Sequence, residues 1–274
     1  MTKHLKPLSV KLPPEIEDEI FEWTAVQFPY HFQDAYLPLV CKRSQEKIES
    51  ILYRTIVLTV YGDRDNDQFM AFVRLFEVPL ENRPPSFFAK HVQNLFINHD
   101  VPDNFVYRVL SVCTGLRSFA CQNKSGISVD MTRNHLQLTL RHLTLKRSEL
   151  YDIWKAGVSF SALQDLDVNT TTDHDLCGGF EWPSEFPPLE GLAPNLACIR
   201  LRIGRHHDGN IVLSYIRTIA RMRNLKSIQI VVTSGLEDFF EVWRNEDDRV
   251  IIDKTEPHLL APSRWDWRID MIFR

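Results

Sequence analysis

Six short runs along the second part of the chain repeat one pattern, apolar-x-x-apolar-x-apolar. They are VQNLFI (Val92, Leu95, Ile97), LRSFAC (Leu116, Phe119, Cys121), LRHLTL (Leu140, Leu143, Leu145), LQDLDV (Leu163, Leu166, Val168), LACIRL (Leu196, Ile199, Leu201) and LKSIQI (Leu225, Ile228, Ile230). Their starts lie 24, 24, 23, 33 and 29 residues apart. In a short strand, residues two apart face the same way, so Leu143 and Leu145 are expected inward and Thr144 outward. One such strand cannot bury its apolar side alone. Stacking the copies in a parallel sheet makes a continuous core, and that requirement restricts the fold more than any other feature.

Between the strands, the chain must return. FVYRVLSVC (105–113) and NIVLSYIRTIARM (210–222) place apolar residues at helical spacing, with Ile211, Val212, Tyr215, Ile216 and Ile219 on one stripe of the second. SELYDIWKAG (148–157) offers a serine cap and a glycine stop for a short helix. The step of 33 residues contains residues 169–194, rich in Gly, Pro and polar side chains, which read as an inserted loop. DDRVIIDK (247–254) supplies a seventh strand, and the aromatic and Arg-rich tail 257–274 reads as a cap over the last unit. The spacing and the L-x-x-L-x-L runs resemble leucine-rich repeats. The expected class is therefore α/β: an irregular leucine-rich-repeat solenoid over 87–256, with parallel strands on its concave face and helices on its convex face.

Outward residues of these strands would line the concave face: Asn94 and Phe96, Ser118 and Ala120, His142 and Thr144, Asp165 and Asp167, Cys198 and Arg200, Ser227 and Gln229. Lys146 and Arg202 extend two of the units. An acidic pair thus falls between a His/Lys unit and an Arg/Arg unit, and Asp165 and Asp167 are expected near Arg200 and Arg202. Cross-strand charge pairing on a solvated face is the simpler use of such residues. The sharper one is a charge-patterned surface for a target protein, carried by His142, Thr144, Lys146, Asp165, Asp167, Arg200 and Arg202.

The first sixty residues follow different rules. Pro13 and Pro14 suit a helix start, and Glu15, Glu17, Asp18 and Glu19 favour the positive end of its dipole. Ile16, Ile20, Phe21 and Thr24 share one face. Leu39, Val40, Arg43, Lys47, Ile48, Ile51 and Leu52 describe a second amphipathic helix that runs into a strand-like TIVLTV. Residues 61–86 then read as a linker or first return.

Leu12-Pro13-Pro14-Glu15-Ile16, Ile20-Phe21 and Leu39-Val40-Cys41-Lys42-Arg43 resemble the F-box family in its L-P-x-E-[IL] opening, apolar helix and L-V-C-[KR]-[KR] segment. With the repeats, DDRVIID and RWDW, the chain looks like the fungal F-box-like proteins that carry irregular leucine-rich repeats. Ser44 stands where many F-boxes place a tryptophan. The resemblance implies an F-box-like helical unit in residues 1–60 that docks on a Skp-type adaptor, and through it a cullin, with Leu12, Pro13, Ile16, Ile20, Leu39, Val40 and Cys41 in the contact. The implied function is the substrate-recognition subunit of a cullin-RING ubiquitin ligase of the SCF type, holding an unknown target protein. A non-catalytic repeat scaffold that leaves the adaptor unbound is the alternative.

Composition and motifs bound the remaining classes. A net charge of −4 with intermixed signs argues against a dedicated nucleic-acid binder. No stretch has the roughly 18–20 uninterrupted apolar residues of a membrane helix. Five scattered cysteines without CxxC, three of them in apolar runs, suggest a reducing interior, cytosol or nucleus. DHDLC (173–177) and RHHD (205–208) gather possible ligands on separate loops, without the spacing of a metal site. GxSxG, GxGxxG and GxxxxGK[ST] are absent, and Cys177 with His174 lacks an orienting third group. No catalytic residue, metal or cofactor is expected.

Overall fold

The computed structural model describes residues 13–16, 19–20, 49–51, 53–60, 84–99, 101–122, 127–136, 139–170, 186–203, 209–232 and 247–254. The chain divides into two units, Met1–Arg54 and Thr55–Arg274. In the first, residues 14–16, 19–20 and 49–51 are helical, and Ile16 N–H bonds to the Pro13 carbonyl at 3.0 Å, as a proline-led first turn should. Leu12, Leu39, Val40 and Cys41 lie outside the described residues.

The second unit is built on one eight-stranded sheet in strict chain order. Its strands are β1 (Thr55–Val60), β2 (Asn94–His99), β3 (Ser118–Gln122), β4 (His142–Lys146), β5 (Asp165–Asn169), β6 (Cys198–Ile203), β7 (Ser227–Val232) and β8 (Val250–Lys254). Every neighbouring pair is parallel. Each parallel step needs a crossover, and crossovers of one hand in sequential order put the returns on one side of the sheet. This is a solenoid-like α/β architecture with a helix-bearing face and an opposite face that, among the described residues, is open over part of its length.

The returns include helices α1 (Pro85–His91), α2 (Asp103–Val112), α3 (Val129–His135), α4 (Arg147–Lys155), α5 (Leu189–Leu192) and α6 (Gly209–Ala220). Helices α1 to α4 pack each on the next. All eighteen apolar positions of the six repeated runs are at most 2 % exposed. The first apolar residue of each run lies two positions before its strand, where the chain turns in from the return. Helix α2 buries Phe105, Val106, Val109 and Leu110, the stripe expected from spacing.

One backbone detail recurs at the strand entrances. The carbonyls of Gln93, Arg117, Arg141, Gln164 and Ala197 each accept two N–H donors from the next unit, at 2.7–3.2 Å. Side chains reinforce it: Thr139 Oγ1 donates to Leu116 O, Asn195 Nδ2 to Ser161 O, and Asn224 Nδ2 to Pro194 O. Each unit is thus hydrogen-bonded to its predecessor in the same way, as a quasi-one-dimensional stack requires.

Several expectations change. TIVLTV belongs to the sheet, pairing in full register with β2, and the N-terminal unit ends at Arg54. Helix α1 begins at Pro85, inside the stretch read as linker, because Pro84 and Pro85 start it and Phe88 buries against the core. Asn169 is the last residue of β5, and Thr170 is buried with its N–H and Oγ1 both bonded to Arg202 O. At the other end of that loop, Phe186, Leu189, Leu192 and Ala193 are buried, so both ends of 169–194 belong to the packed structure.

Helix α4 starts one residue before Ser148. Glu149 accepts from the N–H of the N-cap residue Lys146 at 2.9 Å and, across to the preceding return, from Ile127 N–H at 3.2 Å. Its end follows the Schellman pattern, with Gly157 at φ +66°, Gly157 N–H bonded to Trp154 O and Val158 N–H to Ile153 O. The neighbouring Arg147 is buried over the Tyr215 ring, 4.4 Å from its centroid.

Past the end of helix α6, Arg249 replaces an ordinary cap. Its guanidinium donates to the carbonyls of Ala220, Met222 and Leu225, and Asp247 holds it through Oδ1 at 2.9 Å and Oδ2 at 2.6 Å. The Arg249 hydrogen bond keeps the Asp247 carboxyl below its ordinary value, against a smaller opposing effect of burial. A depressed carboxylate contributes stability above its unfolded pKa and loses it as pH falls through the folded pKa. Asp247→Asn is therefore expected to cost about 1–2 kcal/mol at neutral pH. The gap from wild type should close as pH falls below the ordinary carboxylate range. Denaturant titrations of both proteins across that range check it, and equal stabilities at neutral pH would contradict the assignment.

Candidate functional site

The open face is laid out in three rows by the register of the strands. One row runs Thr55, Asn94, Ser118, His142, Asp165, Cys198, Ser227. The middle row runs Val57, Phe96, Ala120, Thr144, Asp167, Arg200, Gln229, Ile251. The third includes Lys146, Asn169, Arg202, Val231 and Asp253. These residues occupy the alternate strand positions, opposite in direction to the buried leucines, which is why a hydrophobic run carries a polar face on its back.

The face changes character along the sheet. At β1–β3, Phe96 and Ala120 are buried together with part-buried Val57. The expectation of an open row therefore fails there, since outward alternation fixes direction and not exposure. Asn94 donates through Nδ2 to Thr55 Oγ1 at 2.9 Å in the adjoining row.

At β4–β7, the charged residues come together. His142 Nδ1 lies 2.6 Å from Asp165 Oδ2. Asp167 receives Arg202 through Nε at 2.8 and 3.0 Å and through Nη2 at 2.5 Å, a two-pronged contact that matches the planar guanidinium to a carboxylate. Arg200 Nη1 stands 3.8 Å from the same carboxylate, and its Nε donates to Gln229 Oε1 at 2.8 Å. Of the two aspartates, only Asp167 takes the arginines. Asp165 aligns with Cys198 and turns to His142 on the preceding strand.

The seven residues expected to hold a target are thus neighbours on β4–β6, with unequal surface. Arg202 and Thr144 are buried, at 5 % and 8 % exposure, while His142, Lys146, Asp165, Asp167 and Arg200 are half-buried. Arg202 acts inside the sheet as the partner of Asp167. Gln229, already expected outward, joins the cluster through Arg200. Ile251 was not legible in the sequence as a face residue: in the run Val250-Ile251-Ile252, three apolar residues mask the alternation. It is 50 % exposed.

In the N-terminal unit, Pro13, Ile16 and Ile20 are described and exposed, with Ile16 at 43 % and Ile20 at 48 %. These are the expected adaptor-contact residues that the structure describes, and both isoleucines are available to a second protein. Among the described residues, no group of three or more His, Cys, Asp and Glu is placed to hold a metal ion, and DHDLC and RHHD lie wholly outside them. Cys113, Cys121 and Cys198 take part in no disulfide, and burial pushes Cys113 up to about 12, so it packs as a small protonated hydrophobe. No described helix is long and apolar enough to cross a membrane.

Fold and face together define a class: a solenoid-like α/β protein whose open sheet face carries a cross-strand network of charges. Comparison with known proteins takes this no further, because no family model, no curated protein and no solved structure matches the chain.

Proposed function

We propose that the protein is a non-catalytic recognition subunit whose open face holds a target protein while Met1–Arg54 docks on a Skp-type adaptor and through it a cullin. It would serve as the substrate receptor of an SCF-type ubiquitin ligase, working in the cytosol or nucleus. Its stacked units read as irregular leucine-rich repeats and its first unit as an F-box. The mechanism is one of effective concentration: holding the target beside a ubiquitin-charged enzyme makes an otherwise bimolecular encounter local.

The observation that carries this reading is the exposure of Ile16 and Ile20, one helical turn apart in a segment with the F-box opening. Co-expression with the adaptor and size-exclusion chromatography tests it. Ile16→Ala with Ile20→Ala is expected to weaken the complex by at least about 100-fold, since each truncated isoleucine forfeits roughly 1.5–3 kcal/mol of apolar burial. The variant should retain the melting temperature of the Thr55–Arg274 unit. Failure of the unmodified chain to co-migrate with the adaptor would sink the receptor reading. It would leave the repeat scaffold, which Ser44 in place of the usual tryptophan favours.

A further inference from the structure

The middle row of the open face ends in Arg200, Gln229 and Ile251, in register on the adjacent strands β6, β7 and β8. Arg200 is incompletely used. Its Nε is spent on Gln229, while the nearest carboxylate, that of Asp167, is 3.8 Å from Nη1 and already gripped by Arg202. Among the described residues, Nη1 and Nη2 of Arg200 therefore donate no hydrogen bond, although the side chain is only 19 % exposed. A guanidinium held by one edge and open along the other is prepared for an acceptor with two oxygens in a plane.

Gln229 is committed through Oε1, so its Nε2 donors remain for another acceptor, and no described residue takes them. Ile251 then offers apolar surface at 50 % exposure at the end of the row. The strip thus runs from charge, through an amide donor, to an apolar patch.

We infer that Arg200, Gln229 and Ile251 form a recognition strip for an extended acidic segment of the target protein, which rests on the reading of the open face as the target surface. The segment crosses the strands. It sets a carboxylate on Arg200, a main-chain carbonyl on the Gln229 amide and an apolar side chain on Ile251. Two strand-to-strand steps span about 9.6 Å, and a segment extended in the polyproline II conformation advances about 3.1 Å per residue with three residues per turn, so the acidic and apolar residues that face the strip together stand about three positions apart. A carboxylate fits better than a phosphate: Asp165 and Asp167 share the face, and their charges oppose a dianion more than a monoanion.

The test uses the full chain without adaptor, so that its failure is separate from failure of adaptor docking. Twelve-residue synthetic peptides carry one Glu and one Leu, one to five positions apart in a Ser/Gly background, and fluorescence anisotropy reads their binding. The tightest binding is expected at a separation of three. Glu→Gln in that peptide should weaken binding about tenfold, and Arg200→Gln should abolish the preference for Glu over Gln. Arg200→Lys should weaken the Glu peptide several-fold while keeping the charge, because it removes the fork. Ile251→Ser should weaken the Leu peptide and leave a Leu→Ser peptide unaffected. Should Arg200→Gln fail to fold, Ile251→Ser and the separation series decide alone. No binding by any peptide, no dependence on separation, or a phosphoserine peptide binding more than tenfold tighter than its Glu counterpart would overturn the inference.

Discussion

Gly115→Ala is expected to lower the stability of the repeat unit by about 3 kcal/mol, the upper range for forcing extra volume into a packed site. Gly115 lies between α2 and β3, and a Cβ built on it would stand 2.1 Å from the Ala89 carbonyl oxygen at the end of α1. The obstacle is backbone. It cannot rotate aside, so either α1 or the turn that feeds β3 must move, and that turn is tied to the entrance of β2 by the Arg117 and Ser118 N–H bonds onto Gln93 O. Gly191 provides the control, since a Cβ there meets nothing within 4 Å. Gly191→Ala should be neutral or slightly stabilising. Equilibrium denaturation of the two variants compares them, and a Gly115→Ala protein within about 0.5 kcal/mol of wild type would refute the close approach.

The second large effect is at the arginine–aspartate pair of β5 and β6. Asp167→Ala is expected to cost about 3 kcal/mol, because it removes the carboxylate that balances a guanidinium with 6 % side-chain exposure. The pair as a whole is worth much less than that loss suggests. Both charges are largely withdrawn from water, and their attraction mostly offsets the desolvation of each. Asp167→Leu with Arg202→Met should therefore recover stability to within about 1 kcal/mol of wild type. If the single substitution costs as much as the double one, the two side chains are not coupled as the geometry indicates.

These two sites differ in how visible they are before folding. Nothing around Gly115 in CTGLRS marks it as a close approach, since its obstacle, Ala89, is in the preceding unit. Asp167 and Arg202 are in the sequence as a plausible pair, because each has a set place relative to a repeated run, Asp167 within LQDLDV and Arg202 directly after LACIRL. Their burial is not, and neither is the division of labour that gives Asp167 to the arginines and Asp165 to His142. The N-terminal boundary was misplaced for a related reason. TIVLTV has strand character, but it precedes β2 by 39 residues between aligned positions Thr55 and Asn94, outside the spacing of the other units.

The alternation within each run fixed the inward triplets. Spacing of two within a strand is a local property of extended backbone, and a parallel stack lets six such strands, separated by returns long enough for a crossover, each bury one side. Helices α2 and α6 were equally readable, because their apolar stripes repeat at the helical period within a single segment. What the open face does with its charges was left to the tertiary structure. Each outward side chain meets neighbours supplied by strands 22 to 39 residues away, and the register between those strands decides which meet. Whether Arg200 keeps a free edge, or Phe96 stays out of water, depends on those pairings and on no residue's own neighbours in sequence.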